Sequence, residues 1–271
     1  MRTDAVFRNY KCGLAIVLAL ISNLSLAEVK VKAKSNVEHH KGTYILPFSY
    51  NSELKDSVNQ SVETEFQFSL KYQAMKNPLC NVFDYCQAHK LFVAYSQRNY
   101  WQTYNRQEST YFRETVHSPE AFIRFVDTGL FEKYGLYQID VGFIHKSTGQ
   151  KPPTSRNLNR FFSEFYWGED GSQFSLATWY TFDQQGAREK YDRNMGVIEL
   201  GYEYFNTHSR IETKLSTTLR DYNGALRVGY SYNLNNTMAL YVQYNGGYGD
   251  SMIEFGRKAN RLGIGVRLKD W

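Results

Sequence analysis

The sequence predicts an all-β protein, a 12-stranded antiparallel transmembrane β-barrel, and three observations carry that expectation. Leu262, Ile264, Val266 and Leu268 alternate with Gly263, Gly265, Arg267 and Lys269, so one face is apolar and the other small or charged. About twelve such segments follow one another, an even number, as a single-chain barrel with both termini on one side requires. Their connections alternate between short (128–133, 169–171, 234–236) and long (101–118, 146–157, 183–193, 247–259), which separates a periplasmic from an extracellular end.

Composition agrees. The chain has 271 residues, is polar on average, and holds 22 Tyr, with aromatics at 16%. A polar lumen lowers mean hydropathy, while aromatic girdles raise Tyr and Trp. The same composition suits a secreted β-sandwich; the two-sided alternation decides for the barrel. No 18-residue apolar run follows the N-terminal segment, so spanning helices are not expected.

In chain order, residues 1–27 read as a signal peptide. Arg2, Arg8 and Lys11 precede an apolar run from Gly13 to Ile21, and Ser25-Leu26-Ala27 supplies small residues for cleavage. Its removal takes away three basic residues and one acidic residue, leaving 29 Lys and Arg against 26 Asp and Glu. That balance is too even to suggest nucleic acid. Residues 28–42 form a charged periplasmic arm whose His39-His40 pair is expected to be solvated. Residues 43–271 form the barrel, with strands near 43–50, 62–73, 88–100, 119–127, 134–145, 158–168, 172–182, 194–206, 208–219, 223–233, 237–246 and 260–269.

Cys80 and Cys86 fall in a turn and can close a small disulfide loop in an oxidising compartment. Counting back in twos from Trp271 lands on Lys269 and Arg267, so Asp270 and Trp271 read as a slight bend at the interface. Tyr100, Trp101, Tyr166 and Trp167 read as an interfacial belt. His117 and His208 carry no functional signal.

The segment from Ile139 to Arg160 carries the chemistry. His145 and Ser147 are two residues apart on an extended backbone and so share a face. A hairpin through the Gly/Pro-containing turn folds Asn159 back beside them. A base, a nucleophile and a polar residue to orient the base make a hydrolytic constellation. With the N-terminus periplasmic, this strand runs outward and His145 lies at the extracellular rim.

TYILPFSYN at 43–51, TEFQFSLKY at 64–72, AYSQRNYWQ at 94–102, FRET at 112–115 and HKSTGQKPPTSRNLNR at 145–160 together resemble the outer-membrane phospholipase A family. Residues 237–268 continue the resemblance more weakly. It implies a calcium-dependent, dimerisation-activated hydrolase of phospholipid acyl esters in the bacterial outer membrane, with A1, A2 and lysophospholipase activities. By position, Ser147 is the nucleophile, His145 the base, Asn159 its orienting residue, and the Gly149 N–H the oxyanion donor. The implied Ca2+ ligands are the Ser155 side chain, the Gln150 carbonyl, and the Ser109 carbonyl of a neighbouring subunit, so the active form is a homodimer. Gln97 matches a polar residue on the family's dimer face.

Lys146, Thr148 and Asn157-Leu158 depart from the family pattern, and Lys146 is expected to add positive charge near the cation. Arg156 and Arg160 read as hydrogen-bonding props or headgroup contacts. The alternatives are a non-catalytic porin or adhesin barrel and a soluble β-sandwich lipase.

Overall fold

The computed structural model describes residues 36–54, 58–80, 88–126, 135–169, 171–186, 191–218 and 223–271. The signal segment, the start of the arm and Cys86 lie outside the described residues. Thirteen strands run in chain order: β1 (Val37–His39), β2 (Tyr44–Asn51), β3 (Val62–Lys76), β4 (His89–Trp101), β5 (Phe112–Val126), β6 (Leu136–Ser147), β7 (Asn157–Glu169), β8 (Ser172–Gln185), β9 (Ile198–Phe205), β10 (Ser209–Thr217), β11 (Gly224–Asn233), β12 (Met238–Tyr248) and β13 (Lys258–Leu268). One helical turn, α1 (Asp192–Met195), precedes β9.

Twelve of these strands close on themselves. Each of β2 to β12 pairs antiparallel with its successor, and β13 pairs back with β2. Closure removes the free edges that a lipid phase cannot satisfy. β1 lies outside the ring and pairs with β3 through Val37–Tyr72 and His39–Leu70. The soluble-sandwich alternative is therefore overturned, because a sandwich leaves its two sheets open.

The wall has two faces with opposite chemistry. Phe48, Tyr50, Phe161, Phe174, Leu200 and Leu262 are each more than half exposed on the outside. Only an apolar surrounding makes such a surface favourable, since each large apolar side chain left in water forfeits about 1.5–3 kcal/mol. The inside is charged and paired. Glu63, fully buried, accepts from Arg113, Arg261 and Gln102. Arg98, Arg113 and Arg261 all stack on the Tyr100 ring, 4.7–5.0 Å from its centroid. Three guanidiniums around one ring are tolerable because Glu63, Glu65, Asp250 and Glu254 surround them.

Several expectations change. β5 starts at Phe112, so the connection after β4 is shorter than 101–118. The reason is that Phe112 packs edge-on against Trp101, which keeps the two strands paired through the FRET segment. Tyr100 and Tyr166 point inward and do not join a belt: Tyr100 is fully buried and Tyr166 lines the interior cavity of about 460 Å³. Trp101 and Trp167, one residue on in each case, take the outer face. His40 is not solvated. Its Nε2 lies 3.3 Å from Glu120 and its ring stacks on Phe122 at 5.7 Å, so the arm is anchored inside. Burial pushes the His40 imidazole below its ordinary pKa, with the Glu120 hydrogen bond opposing.

At the C-terminus the chain does leave the ladder after Leu268. Asp270 accepts from Arg210 and Arg267, and Trp271 covers both guanidiniums at 5.5 and 5.7 Å. Cys80 is disulfide-bonded.

Candidate active site

β6 and β7 form a hairpin whose register sets His145 opposite Asn159, Lys146 opposite Leu158 and Ser147 opposite Asn157. Alternation then sends His145, Ser147, Asn157 and Asn159 to the same face as exposed Val141 and Phe161. That is the outer face. His145 Nδ1 and Asn159 Oδ1 are 2.7 Å apart. An amide oxygen can only accept, so Nδ1 carries the hydrogen and Nε2 keeps a lone pair. A neutral imidazole with a basic Nε2 is the form that takes a proton from a hydroxyl on its own face.

The turn between the strands is tightly tied. The Thr148 N–H donates to the Arg156 carbonyl at 3.0 Å, and the Arg156 N–H donates back to Thr148 Oγ1 at 3.1 Å. Arg156 also bonds the Pro153 and Ser155 carbonyls at 2.7 and 2.8 Å, so it braces the turn. Gly149 adopts φ +63°, a left-handed conformation, and a Cβ there would lie 3.3 Å from the His117 ring. Glycine at that point lets the chain turn sharply and brings its backbone beside the His117 imidazole.

Three residues of the hairpin point inward, and one of them, Lys146, departs from expectation. Lys146 faces the lumen and lines the interior cavity with Arg124 and Lys214, so its charge is separated by the wall from the face that carries His145 and Ser147. The period of two along β6 dictates this, because its neighbours on both sides point outward. Arg160 also turns inward, holding Asp192 at 3.0 Å and Thr181 at 2.9 Å, and is a prop without headgroup access. Leu158 is fully buried inside against Tyr191, Met252 and Phe255, an apolar plug beneath the hairpin. In that loop, burial raises the Tyr191 phenol to about 12.

His117, which carried no functional signal, lies on β5 directly opposite Ser147. Its Nδ1 is 2.7 Å from the Tyr95 hydroxyl, which donates in turn to Gln97 at 3.0 Å; Gln97 donates to Asn99 at 3.0 Å. The Gln97 amide is therefore paired on the outer face of its own protomer.

Asp183 is the other residue that sequence reasoning missed. Its Oδ2 accepts from Asn159 Nδ2 at 2.9 Å. His117 and Asp183 lie on the strands that flank the β6–β7 hairpin, and neither belongs to a local motif, so only strand register could have found them.

The calcium set divides between two loops. Gln150 and Ser155 share the hairpin turn, while the Ser109 carbonyl lies between β4 and β5 and accepts from the Trp101 indole at 2.8 Å. Among the described residues there is no cluster of three or more His, Cys, Asp or Glu able to hold a metal. The turn offers neutral oxygens instead. Gln150 Oε1 is buried with no hydrogen-bond partner among the described residues, and its Nε2 reaches only the Arg113 carbonyl at 3.4 Å. Hydroxyl, amide and carbonyl oxygens are hard and neutral and fit a calcium ion, although one protomer's turn supplies too few to enclose it.

A closed twelve-stranded barrel with an apolar outside, carrying a serine, a histidine and an asparagine on that outside, defines a membrane-spanning β-barrel with a candidate site on its outward face. The sequence comparisons give the family: the Phospholipase A1 family model matches residues 20–268, and the chain belongs to that family. Phospholipase A1 of Salmonella typhimurium is 30% identical over 181 residues, covering 66% of this chain and 62% of that protein's own length. That of Proteus vulgaris is 27% identical over 241 residues, covering 85% of this chain and 81% of the relative. Among solved structures, outer membrane phospholipase A from Escherichia coli superimposes with a TM-score of 0.77 at 25% identity, over 86% of this chain and 98% of that one. The Salmonella typhi outer membrane phospholipase dimer with bound calcium gives a TM-score of 0.78 at 24% identity, over 92% and 97% of the two chains. The protein is thus an outer-membrane-type β-barrel of this family.

Proposed function

We propose that the protein hydrolyses acyl ester bonds of phospholipids at the outer-leaflet rim of the bacterial outer membrane. The observation that carries the reading is the 2.7 Å His145–Asn159 contact on the outward face of β6 and β7, with Ser147 two residues from the imidazole. A catalytic group on the outside of a barrel meets the acyl chains and ester linkages of lipid directly, without a channel.

Ser147 Oγ attacks the ester carbonyl carbon while its proton passes to His145 Nε2. The new oxyanion accepts from the Gly149 N–H. Such a donor is commonly worth about 3–4 kcal/mol. The intermediate collapses by breaking the acyl C–O bond, and His145 returns the proton to the departing lysolipid oxygen. Water, deprotonated by the same imidazole, then releases the fatty acid and restores Ser147. Asn159 keeps the ring in position throughout, though an amide steadies the imidazolium less than a carboxylate in contact would.

Calcium, when bound, supplies positive charge beside the oxyanion position. Ser155 and the Gln150 carbonyl would hold it, and the Ser109 carbonyl of a second copy would complete its shell. One turn alone contributes two such oxygens, so a homodimer is the active form. The Salmonella typhi relative, crystallised as a calcium-bound dimer, supports that assignment. The reading includes cleavage at sn-1 and sn-2 positions and of lysophospholipid, and a site on the outward face of the barrel supports it. A passive porin is disfavoured by the charge network inside the lumen, where Arg98, Arg261 and Glu63 tie the loop carrying Asp250 inward against β3, β4 and β13.

Hydrolysis of phospholipid in mixed micelles, with calcium and with chelator, on the parent and on Ser147→Ala, tests the reading. Activity should require both the hydroxyl and the cation. Undiminished hydrolysis by Ser147→Ala would remove the nucleophile.

A further inference from the structure

Asp183 extends the chain of hydrogen bonds that begins at His145. We infer that it is a positioning residue: through Asn159 it fixes the orientation and the tautomer of the His145 imidazole. The inference rests on the hydrolytic reading of Ser147 and His145 above.

The physical reason is directional. An asparagine amide presents an acceptor at one end and two donors at the other, and nothing in its shape selects which end faces a given neighbour. An ionised carboxylate accepts only. Asp183 Oδ2, 2.9 Å from the Asn159 amide, therefore holds the Nδ2 end. The Oδ1 end is left facing His145 Nδ1 at 2.7 Å, and it requires a hydrogen on that nitrogen. Nε2 is then the basic nitrogen, as proton transfer from Ser147 demands. With the amide reversed, oxygen would oppose the carboxylate and the NH2 group would face the ring. That arrangement favours the tautomer whose basic nitrogen points away from the serine. The carboxylate also lends charge: it polarises the amide and so strengthens the bond to the imidazolium formed during attack.

The fold goes out of its way to place this residue. The β7–β8 ladder shifts register between Asn159 and Arg160, so that Arg160 pairs with Thr181 but Asn159 with Asp183. Without that bulge Phe182 would stand opposite Asn159. Instead Phe182 stacks on Phe161 at 4.8 Å and Asp183 reaches the amide. Such irregularities re-aim side chains beside functional sites. Just beyond, Gly186 at φ +81° packs against the Ser155 carbonyl, where any Cβ would clash. The end of β8 is thereby pinned to the catalytic turn.

The other charged or titratable groups around His145 do not compete for this role. His117 is engaged with Tyr95, Lys146 and Arg160 face the lumen, and Arg156 bonds the carbonyls of its own turn. Among the described residues, Asp183 is the acidic side chain bonded to the catalytic set.

The test uses the full-length barrel in detergent with saturating calcium, comparing Asp183→Asn, Asp183→Ala, Asn159→Ala and the Asn159→Ala/Asp183→Asn pair. Asp183→Asn should lower kcat about 10-fold with KM little changed, far short of the roughly 10⁴-fold loss when a carboxylate touching the base is neutralised. The acid limb of the kcat–pH profile should move down by about half a unit, because the imidazolium has lost a stabilising charge. In the Asn159→Ala background, Asp183→Asn should cost nothing further, since its effect passes through the amide. Heat-modifiable migration shows whether each variant retains the closed barrel. Multiplicative losses in the double variant, an unmoved pH limb, or a change confined to calcium half-saturation would overturn the inference. Ser147→Ala separates the two failures: if it abolishes activity while Asp183→Asn changes nothing, only the role of Asp183 falls.

Discussion

The inner and outer sides of the barrel wall are opposite in design. Inside, Glu63, Arg113, Arg261, Asp250 and Arg98 form a lattice in which each charge has two or more partners. Outside, His145, Asn159 and Asp183 form a single file, one hydrogen bond between each pair. The lattice is redundant and holds strands β3, β4, β5 and β13 against the loop at 249–257. The file has no redundancy, so each member can fix the protonation state of the next. Multiply bonded charges give rigidity; a linear chain of acceptors and donors gives direction.

That contrast can be broken from either side, and the largest effect belongs to the outer file. Ser147→Ala should cut phospholipid hydrolysis by about 10³-fold or more while leaving the melting behaviour of the barrel unchanged, read by activity and heat-modifiable migration together. Arg261→Ala should do the reverse. It takes one guanidinium from Glu63 and from Asp250, which keep Arg113 and Arg98, at a cost of about 3 kcal/mol, seen as a lower unfolding midpoint in denaturant. If that variant unfolds at the parent's midpoint, the lattice is not structural. Asn159→Ala should reduce kcat by roughly 10- to 100-fold, less than the serine variant because the imidazole remains present.

Smaller effects sharpen the comparison. Gln97→Leu removes the middle of the Tyr95–Gln97–Asn99 ladder on the lipid-facing side, and the calcium-dependent dimer fraction in cross-linking should fall by about 2- to 5-fold. No change in that fraction would detach Gln97 from the dimer face. Acid should act on the inner lattice first. Burial alone would raise the Asp250 carboxyl, yet the Arg261 and Arg98 guanidiniums hold it well below its ordinary value of 3.8. A depressed folded pKa contributes stability that is complete above the unfolded value and is lost as pH falls through the folded one. The barrel should therefore lose thermal stability progressively below about pH 4. Asp250→Asn, measured at the same pH values, should flatten that dependence.

The β6–β7 hairpin shows how much of the site is legible without coordinates. His145 and Ser147 share a face because two residues on a strand always do, and the short turn to Asn159 leaves few registers to consider. Lys146 shows the same rule applied too loosely, since a residue between two outward ones must point inward. His117 was out of reach: its distance from Ser147 is set by the β5–β6 pairing, across a connection at 127–135 whose length does not fix a register. Asp183 was further out of reach. Mirror counting through the β7–β8 turn leads to Phe182, and one bulged residue changes the answer.

Local periodicity and composition by themselves determined the barrel and its two faces, and set His145, Ser147 and Asn159 on one side of a hairpin. Each of those depends on neighbours within about a hairpin's length along the chain. Tertiary structure alone decided that Tyr100 and Tyr166 point inward, that His40 is anchored on Glu120, and that His117 and Asp183 border the catalytic face. Those facts depend on strand register and closure, which are settled by the summed packing of the whole ring and are written in no single segment.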